Sequence, residues 1–593
     1  MNPSRALAPA IAALLVCRPA AATVSCGQDC YQADSCEQAA VQAAVDAALA
    51  QNGGTVKIPD PAGAPCQWSK AVQVDGTLAP LDIVGQSQDT TRIRVSEQAF
   101  DVAGKPGTRL TISQLQLSDA TCTGTCDSII GVGGGDQWRF HHLRFETTGV
   151  FTRLFRTYGQ TFGLIDHVTV TGSTPSEFVT VDDEGFPAWK RPLDLGGLAA
   201  VYVEDSDIAF TGSWEGRPFD GENGGRMVVR KNKIRNQMLG SHGLDSGFGA
   251  SIFSVIAYSN SFVLDDDAPA WSSKTWGRLA HFRGGTGILY DNDWTIGGDI
   301  WIGAAHIDLA IYRTPTDAGG NEHWQPCDGS QYRMCSNIGK DWSLQSGNFP
   351  YNCKSDQDCV DEIGAGTTCK WKTCSVSKLE LCAADGDCPS SETCNGYLDG
   401  PAADGYPCYM QPGFGTQMQR APWYEWGNTR KGGEGSSGCN GCDVDFGEDV
   451  SQLEPGRDYF DDVPVGTALP ASCKPHDGFF HTAERVLYAC DAAGKWQKHY
   501  TEPPYPHPLQ GGSSGGTGGS AGSGGSGGSG GAGAAGGGAA GTAGAAGSGG
   551  ATKGESDDDG GCGCTLPRSE SSGFGALALA LLLARARRHR PSC

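Results

Sequence analysis

The chain has 593 residues and a formal net charge of −23 at pH 7. This acidic balance argues against binding to nucleic acid, which needs a basic surface, and against tight binding to anionic lipid. An acidic protein can still hold an acidic polymer through a local basic stripe or a bridging Ca²⁺ ion. The sequence identifies no certain cofactor, and Ca²⁺ is the one that stays open.

The N-terminus has the order of a secretory signal peptide. One Arg precedes an apolar run from Ala6 to Val16, and small residues follow. We assign residues 1–22 to this signal, with cleavage after Ala22. The run is too short to span a membrane as a helix. A lipoprotein signal ending at Cys17 is the alternative, although Val16 stands where a small residue is expected.

The cysteines indicate an oxidising compartment. Four of the 24 Cys lie in the signal and the C-terminal tail, which leaves 20 between Cys26 and Cys490. An even number in an exported chain predicts disulfides. Residues 326–408 repeat a C-x5-C pattern and are predicted to be a small disulfide module inserted in a loop. Zinc is the alternative there, but the wide spacings and the compartment favour disulfides. We expect Cys473 and Cys490 to pair.

A short helix is predicted to open the mature chain. Ser35 and Gln38 fit a capping box, and Asn52-Gly53-Gly54 ends the helix. Its apolar face consists of Val41, Ala44, Val45, Ala48 and Leu49. Residues 55–58 then alternate as a strand.

A loose repeat of apolar residues, each preceded by polar ones, follows the helix. Its steps of 25 to 40 residues suit coils of three short strands with variable loops. The aligned residues are Leu115, Leu143, Val168, Ile208, Ile234, Phe262 and Trp294. Asn232, Asn260 and Asn292 recur two residues before the last three, and we expect them to form a hydrogen-bonded ladder. His141, His142 and His167 are expected at equivalent turns.

The helix followed by GGTVKIP, together with LDIVGQSQDTTRI at 81–93, resembles the opening of pectate-lyase-like right-handed β-helices. We therefore predict an all-β fold, a right-handed parallel β-helix (solenoid) with an N-terminal capping helix, over residues 23–325. The cysteine-rich insert comes next, and residues 409–510 form the final coils and closing lobe. The segment Tyr505–Pro508 is expected to lie extended along the last coil. A β-sandwich is the alternative, but it predicts hairpin turns at the strand ends.

The C-terminal part has the composition of a tether and an anchor. Residues 511–560 are mostly Gly, Ser and Ala and are predicted to be a flexible tether. Residues 561–593 hold Cys562 and Cys564, a short apolar run and an Arg cluster. This order resembles the myxobacterial C-terminal (MYXO-CTERM) sorting tail. The resemblance implies that the tail is processed near Cys562 and Cys564 and that the protein is displayed at the cell surface, anchored in the outer membrane. We also expect a monomer. An ordinary tail anchor is the alternative.

The stretch GSHGLDSG (240–247) lies in the densest polar region of the chain, and residues one coil apart stack on one face of a β-helix. We therefore expect the polar groups of this region to converge on one lateral surface. The candidate catalytic residues are His242, Asp245, Arg226, Glu204, Asp205 and Arg283. The candidate substrate-binding residues are Arg230, Trp214 and Trp276. We assign none of these residues as a metal ligand.

Three functions compete for this surface. A polysaccharide lyase would use an Arg or Lys base and Ca²⁺, and a glycoside hydrolase would use two carboxyl groups. Gly240–Gly243 is similar to the Gly-His-Gly turn of polygalacturonases, but a Ser intrudes, and the paired Asp and Arg-x-Lys of that family are not evident. A non-catalytic glycan-binding or adhesion protein is the alternative to both enzymes. Trp side chains, Trp294 among them, could stack on sugar rings in such a protein, but packing in the core or anchoring of loops is the favoured interpretation. The predicted partner is an extracellular polysaccharide in each case.

Overall fold

The computed structural model describes residues 24–511 with gaps. The gaps are residues 28, 120, 123–125, 174–176, 212–218, 244–249, 266–274, 277, 298–300, 303–305, 433–439 and 449–452, and most of 311–409. Within 311–409 the described residues are 357, 360, 365–366, 372–377, 381–382, 384–389 and 391–396. The predicted signal peptide, tether and sorting tail lie outside the described residues.

The described residues form a parallel β-solenoid of about nine turns, which confirms the predicted fold class. Each coil adds strands to two sheets, and most strands pair in parallel with their equivalents in the next coil. None of the helices in the described ranges is long and apolar enough to cross a membrane.

The first sheet has 22 strands within the described residues. Their bounds are Val24–Gly27, Cys30–Gln32, Gly54–Lys57, Cys66–Trp68, Leu81–Val84, Arg92–Val95, Leu110–Asp119, Trp138–Thr147, Gly163–Asp166, Thr169–Gly172, Val201–Glu204, Asp207–Ala209, Arg226–Arg230, Lys233–Arg235, Ser254–Tyr258, Ser261–Leu264, Thr286–Tyr290, Asp293–Ile296, Trp423–Trp426, Thr429–Lys431, Asn440–Asp443 and Tyr459–Phe460.

The second sheet has ten strands in the part of the chain that the structure describes. Their bounds are Val72–Asp75, Phe100–Gly104, Ser128–Gly134, Arg153–Tyr158, Glu177–Val181, Phe219–Gly221, Leu239–Gly240, Ala280–Phe282, Ile307–Leu309 and Phe446–Glu448.

Three small sheets and a few short helices complete the described structure. The sheets comprise Thr275–Trp276 with Trp301–Ile302; Lys372–Cys374 with Leu381–Cys382 and Cys394–Gly396; and Val465–Gly466 with Gly478–His481, Val486–Cys490 and Trp496–Thr501. The helices are Gln38–Ala50 and Phe186–Lys190, with 3₁₀ turns at Asp385–Asp387, Thr416–Met418 and Pro508–Gly511.

The opening helix covers the first coil as predicted, and its apolar face is buried at Val41, Ala44, Val45 and Ala48. The predicted capping box is wrong. The N-cap residue is Glu37, no side chain caps the helix, and Ser35 Oγ instead accepts a hydrogen bond from the Glu37 backbone nitrogen.

The predicted repeat is confirmed by the strand register, apart from one step. Ile208, Ile234, Phe262 and Trp294 stack in successive coils. Ile208, however, pairs with Val170 rather than with the aligned Val168. Both valines face the core, because side chains on one face of a strand recur every second residue. A slip of two residues therefore leaves the apolar pattern unchanged.

The predicted asparagine ladder is present and buried. The Nδ2 of Asn232 donates to Asn260 Oδ1, and Asn260 donates in the same way to Asn292 Oδ1. Asn292 then donates to Asn428 Oδ1, so the ladder continues into the coil that follows the cysteine-rich insert. The coil pattern thus resumes at Trp423–Trp426 and Thr429–Lys431, within the predicted final coils.

The predicted disulfides are also observed. The described pairs are Cys26–Cys30, Cys36–Cys66, Cys122–Cys126, Cys374–Cys388, Cys382–Cys394 and Cys473–Cys490. Two of them cross-link the insert.

Candidate functional site

The predicted site residues do not form one surface, because the structure divides them between the two sheets. Glu204 and Arg230 lie on paired strands of the first sheet, and both side chains are fully buried. Arg230 Nε donates to Glu204 Oε2, and the guanidinium also donates to the carbonyls of Pro503 and Pro504. Glu204 Oε1 accepts from the His507 backbone nitrogen.

These contacts locate the closing segment, residues 503–510, which includes Tyr505–Pro508. It lies over Glu204 and Arg230 in the central coils, so the prediction that it follows the last coil is wrong. The backbone carbonyl and N–H groups of this segment complete the hydrogen bonds of the buried Arg230 guanidinium and Glu204 carboxylate. Asp205 belongs to the same arrangement and accepts from the Tyr505 hydroxyl at 2.7 Å.

Arg226 is also engaged within the first sheet. Its guanidinium donates to the carbonyls of Pro192 and Leu193 and lies 4.4 Å from the centroid of the Phe253 ring. Burial lowers the pKa of Arg226 to about 10. The side chain therefore fixes the 192–193 backbone against the sheet.

Two predicted residues lie outside the described residues, and Trp294 packs in the core, as its favoured interpretation predicts. Asp245 and Trp214 fall in the gaps, while Trp276 lies on a strand paired with Trp301–Ile302. Trp294 is not an exposed sugar platform. It is buried in the core and stacks on Phe262 at 4.9 Å, because its place in the repeat faces inward.

His242 lies on the outer side of the second sheet, where polar groups form two rows. Val179, Phe219, Leu239, Ala280 and Ile307 stack in the core, so the alternate residues of these strands face outward. The first outer row is Arg156, Thr180, Asp220, Gly240, His281 and Asp308. The second row, two residues further along each coil, is Tyr158, Asp182, Glu222, His242 and Arg283.

Asp220, Glu222 and His242 meet where these rows cross the central coils. One ligand atom from each lies within 4.8 Å of the other two. His242 Nδ1 contacts Asp220 Oδ2 and lies 3.6 Å from Glu222 Oε2. The backbone sets this geometry, since the His242 nitrogen donates to Gly221 O at 2.9 Å. Both carboxyl groups are fully buried, whereas the His242 side chain is 21% exposed.

The carboxyl groups around His242 are crowded, and we call Glu177, Asp182, Asp220 and Glu222 the acidic cluster. Burial and the neighbouring Asp182, Asp220 and Glu177 hold the pKa of Glu222 well above its usual range. Burial and Asp220 raise the pKa of Glu177 to about 7, against the pull of Arg153. Burial also raises the pKa of Asp182 to about 6. Carboxylates this close cannot all ionise at neutral pH, so the cluster retains protons there.

Two arginines border the cluster on its N-terminal side, and both are paired. Arg153 Nε contacts Glu177 Oε2, and its Nη1 contacts Asp127. Arg156 lies 2.8 Å from Asp127 Oδ2, 3.5 Å from Asp182 Oδ2 and 3.9 Å from Glu222 Oε1. Neither oxygen of Glu222 accepts a hydrogen bond from the described residues. Such a buried, poorly compensated carboxyl is characteristic of functional sites.

A basic group borders the cluster on its C-terminal side. Asp308 contacts His281 Nδ1 and lies 2.7 Å from Arg278 Nε. Although burial by itself raises it, hydrogen bonds from His281 and His306 hold the pKa of Asp308 down at about 2. Arg283, a predicted catalytic residue, belongs to this side, and its backbone nitrogen donates to Ser241 Oγ.

Asp220, Glu222 and His242 have the residue types of a divalent metal site. Two carboxylates and one imidazole suit zinc-type ions better than Ca²⁺, which takes six to eight oxygen ligands. The raised pKa of Glu222 also suits an acid–base role for that carboxyl group.

Sequence reasoning missed Asp220, Glu222, Asp182 and Glu177. The usable signal was FDGE at 219–222, one coil before His242, with two acidic residues two positions apart at the end of a strand. A search for adjacent paired Asp residues passes over it because Gly221 separates the two acids.

Comparisons with protein-family models, with curated proteins and with solved structures each found no match to this chain. The functional argument therefore starts from the geometry of the acidic cluster.

Proposed function

We propose that this protein is a secreted glycoside hydrolase of the pectate-lyase-like group that cleaves an extracellular polysaccharide on the outer side of its second sheet. The observation that carries the proposal is the meeting of Asp220, Glu222 and His242 within 4.8 Å of one another. Glycoside hydrolysis needs one protonated carboxyl group and one carboxylate on either side of the scissile bond.

Glu222 is suited to the role of the acid. Its raised pKa favours the protonated carboxyl group, and that proton would pass to the glycosidic oxygen as the bond breaks. Asp220 is the second carboxyl group. Its carboxylate would attack the anomeric carbon and form a glycosyl ester as the protonated leaving sugar departs, and water would then hydrolyse that ester with the Glu222 carboxylate as the base. His242 contacts both acids and would hold their orientation and share their charge as the proton leaves.

Hydrolysis is favoured over elimination by the contacts of the arginines. Arg226 and Arg230, the bases that a lyase would have drawn from the central strands, are bound to backbone carbonyls and to Glu204 in the first sheet. Neither belongs to the outer rows that contain His242. Arg283 does, but it lies beside the cluster with the basic group.

The terminal segments support the predicted location. The signal-like N-terminus and the tail that resembles the myxobacterial sorting signal would export the chain and anchor it at the outer membrane. The 511–560 tether would then let the solenoid reach polymer outside the cell.

The test is to incubate the full chain with neutral and acidic polysaccharides, with and without EDTA, and to follow new reducing ends. We expect release that EDTA does not abolish, without the ultraviolet absorbance of an unsaturated product. An unsaturated product would establish a lyase instead. Retained binding without release in any condition would favour the non-catalytic glycan-binding alternative.

The stereochemistry of the product identifies the reacting pair. Retaining enzymes hold their two carboxyl groups about 5–5.5 Å apart, and inverting enzymes about 6.5–9.5 Å apart. A carboxyl oxygen of Asp220 and one of Glu222 lie within 4.8 Å of each other, which is closer to the spacing of retaining enzymes. We therefore expect a proton NMR time course to show that the anomeric configuration is retained. Inversion would mean that a more distant carboxyl group, such as that of Glu177, reacts in place of Asp220.

A further inference from the structure

The Glu222 carboxyl group is fully buried, and neither of its oxygens accepts a hydrogen bond from the described residues. Buried polar groups in native proteins nearly always have a partner, so an exception calls for an explanation. Arg156 does not supply the partner, because its Nη2 lies 3.9 Å from Glu222 Oε1 and its guanidinium already contacts Asp127 and Asp182. The other oxygen, Glu222 Oε2, faces a second carboxyl group and an imidazole.

The strand that ends at Gly221 aims two carboxyl groups at the same place. A Cβ on Gly221 would come within 2.1 Å of the buried Ile252 side chain, so this position packs inward. Asp220 and Glu222, on either side of it, therefore both face outward, because side chains alternate along an extended chain. The Glu222 backbone nitrogen donates to Val181 O at 3.0 Å in the preceding coil. The direction of both carboxyl groups is thus set by the backbone.

His242 adds an imidazole from the next coil. Its backbone is held on both sides, since its nitrogen donates to Gly221 O at 2.9 Å and its carbonyl accepts from the Ile252 nitrogen at 3.3 Å. Its Nδ1 contacts Asp220 Oδ2 and lies 3.6 Å from Glu222 Oε2. Zinc binds nitrogen and oxygen at about 2.0–2.2 Å, so two ligands of a tetrahedral ion lie about 3.3 Å apart. The three ligand atoms therefore have the spacing that one such ion requires.

The ligand types select the kind of ion. Ca²⁺ and Mg²⁺ prefer oxygen ligands alone, whereas an imidazole with two carboxylates suits Zn²⁺. A dication would also replace the repulsion between the Asp220 and Glu222 carboxylates by attraction to both. Both carboxyl groups are fully buried and the His242 side chain is 21% exposed. An ion would therefore enter from the side of His242, with water as its fourth ligand.

A second acidic group in the described ranges supplies a contrast. Ligand atoms of Glu425, Asp445 and Asp462 also lie within 4.8 Å of one another, but this group contains no imidazole. Both Glu425 oxygens accept hydrogen bonds, one from Asn428 Nδ2 and one from the Asp462 backbone nitrogen. That buried carboxyl group is already satisfied by the protein, whereas the Glu222 carboxyl group is not.

We propose that Asp220, Glu222 and His242 bind a divalent ion of the zinc type, and that the bound ion blocks hydrolysis at the same groups. The binding site stands on the contacts above, and its regulatory effect rests on the proposed hydrolase function. Coordination of a carboxyl group releases its proton to solvent. The ion-bound site would lack the acid at Glu222, and the Asp220 oxygen that attacks the anomeric carbon would be occupied.

The test of binding is calorimetric titration of the full chain with ZnCl₂ or CaCl₂, after free thiols are blocked with iodoacetamide and metals are removed with EDTA. We expect one Zn²⁺ ion to bind at this site and no comparable binding of Ca²⁺. Loss of an outer partner of a metal ligand costs about 10–100-fold in affinity. Loss of a ligand itself should cost more, so Glu222→Gln and His242→Ala should each weaken Zn²⁺ binding at least about 100-fold.

Asp445→Asn and His142→Asn are the matched controls. The first removes an exposed acid from the contrasting group, and the second removes an imidazole that stacks on His167 at 4.8 Å. Asn tolerates the positive φ of 50° at position 142. Both variants should bind Zn²⁺ as wild type does. No binding of Zn²⁺, a preference for Ca²⁺, or affinity that either Glu222→Gln or His242→Ala leaves unchanged would overturn the site.

The test of regulation uses the polysaccharide that the metal-free chain cleaves. Zn²⁺ at the concentration that fills the site should stop the release of reducing ends, EDTA should restore it, and His142→Asn should be inhibited as wild type is. Cleavage that continues or accelerates with the site filled would overturn the regulatory role. Zn²⁺ binding that depends on Glu222 and His242, in a metal-free chain that cleaves no polysaccharide, would instead refute the hydrolase and leave the metal site standing.

Discussion

His242 Nδ1 lies 3.6 Å from Glu222 Oε2, although the two residues belong to successive coils and a loop separates them in sequence. The solenoid creates this contact by stacking one outer residue on the next. The imidazole is the partly exposed member of the pair, and the carboxyl group is fully buried. Solvent and substrate would therefore reach Glu222 from the side of His242.

Glu222→Gln is predicted to leave the stability of the fold unchanged or to increase it. The substitution removes a buried carboxyl group that accepts no hydrogen bond from the described residues and is repelled by three neighbours. Relief of such strain at functional sites commonly adds about 0.5–2 kcal/mol to the free energy of unfolding. Urea unfolding of the two proteins at pH 7 measures the difference.

Glu204→Gln is the matched control and should have the opposite effect. Glu204 is as buried as Glu222 but accepts hydrogen bonds from Arg230, His507 and Gln510. A loss of stability with Glu222→Gln comparable to that with Glu204→Gln would mean that Glu222 is an ordinary structural acid.

The pH dependence of the stability of Glu222→Gln is a second prediction. Glu177, Asp182 and Glu222 have pKa values above their usual range, so the folded state binds more protons than the unfolded state between their two sets of values. Their contribution to stability is thus complete below about pH 4. It is lost for Asp182 and Glu177 as the pH rises through about 6 and 7, and for Glu222 as the pH rises through its raised pKa.

The wild-type profile alone does not isolate this effect, because buried histidines act in the opposite direction. Burial lowers the pKa of His141 and of His507 to about 4, so those groups favour the fold as the pH rises. The difference in unfolding free energy between Glu222→Gln and wild type should be near zero at pH 4 and grow towards pH 8. A difference that shrinks with rising pH would contradict the assigned protonation of Glu222.

The Glu204–Arg230 pair is predicted to lock the closing segment. Arg230→Met leaves the Glu204 charge buried without its partner and should cost about 3–5 kcal/mol. Adding Glu204→Gln removes the orphaned charge and should recover part of that loss. The coupling energy from a double-mutant cycle, measured by urea unfolding, checks this. Additive effects would mean that the closing segment, rather than the pair, compensates each charge.

The asparagine ladder is predicted to be a main determinant of coil stacking. Asn260→Ala removes the acceptor of Asn232 and the donor of Asn292 inside the turn. Buried donors left unsatisfied cost about 1–3 kcal/mol each, so we expect a loss of several kcal/mol. Ser261→Ala, which removes an exposed hydrogen bond to Asp293, should cost under about 1 kcal/mol. Equal losses would show that the ladder adds little.

The fold was predictable because it depends on a local pattern. Alternation of apolar residues such as Phe262 and Trp294 and recurrence of Asn at the turns are properties of single coils. The acidic cluster depends on which residues of different coils lie side by side, and loop lengths control that. The two-residue slip at Val168 and Ile208 shows how weakly the pattern fixes this register.

The division of the predicted site between two sheets has the same cause. Glu204 was expected to be catalytic and Arg230 to bind substrate because charged residues in a strand usually face solvent or substrate. Only the closing segment, about 270 to 300 residues later in the chain, makes them structural. Sequence proximity offers no sign of such a distant partner.

The most direct test of the account compares two acid-to-amide substitutions for release of reducing ends from the polysaccharide that wild type cleaves. We predict that Glu222→Gln lowers kcat at least about 100-fold, the loss of a general acid, with the folded protein retained. Glu204→Gln should lower the unfolding temperature but leave the kcat of the folded molecules near that of wild type. Unchanged turnover by Glu222→Gln, with loss of turnover confined to Glu204→Gln, would contradict the assignment of the active site to the second sheet.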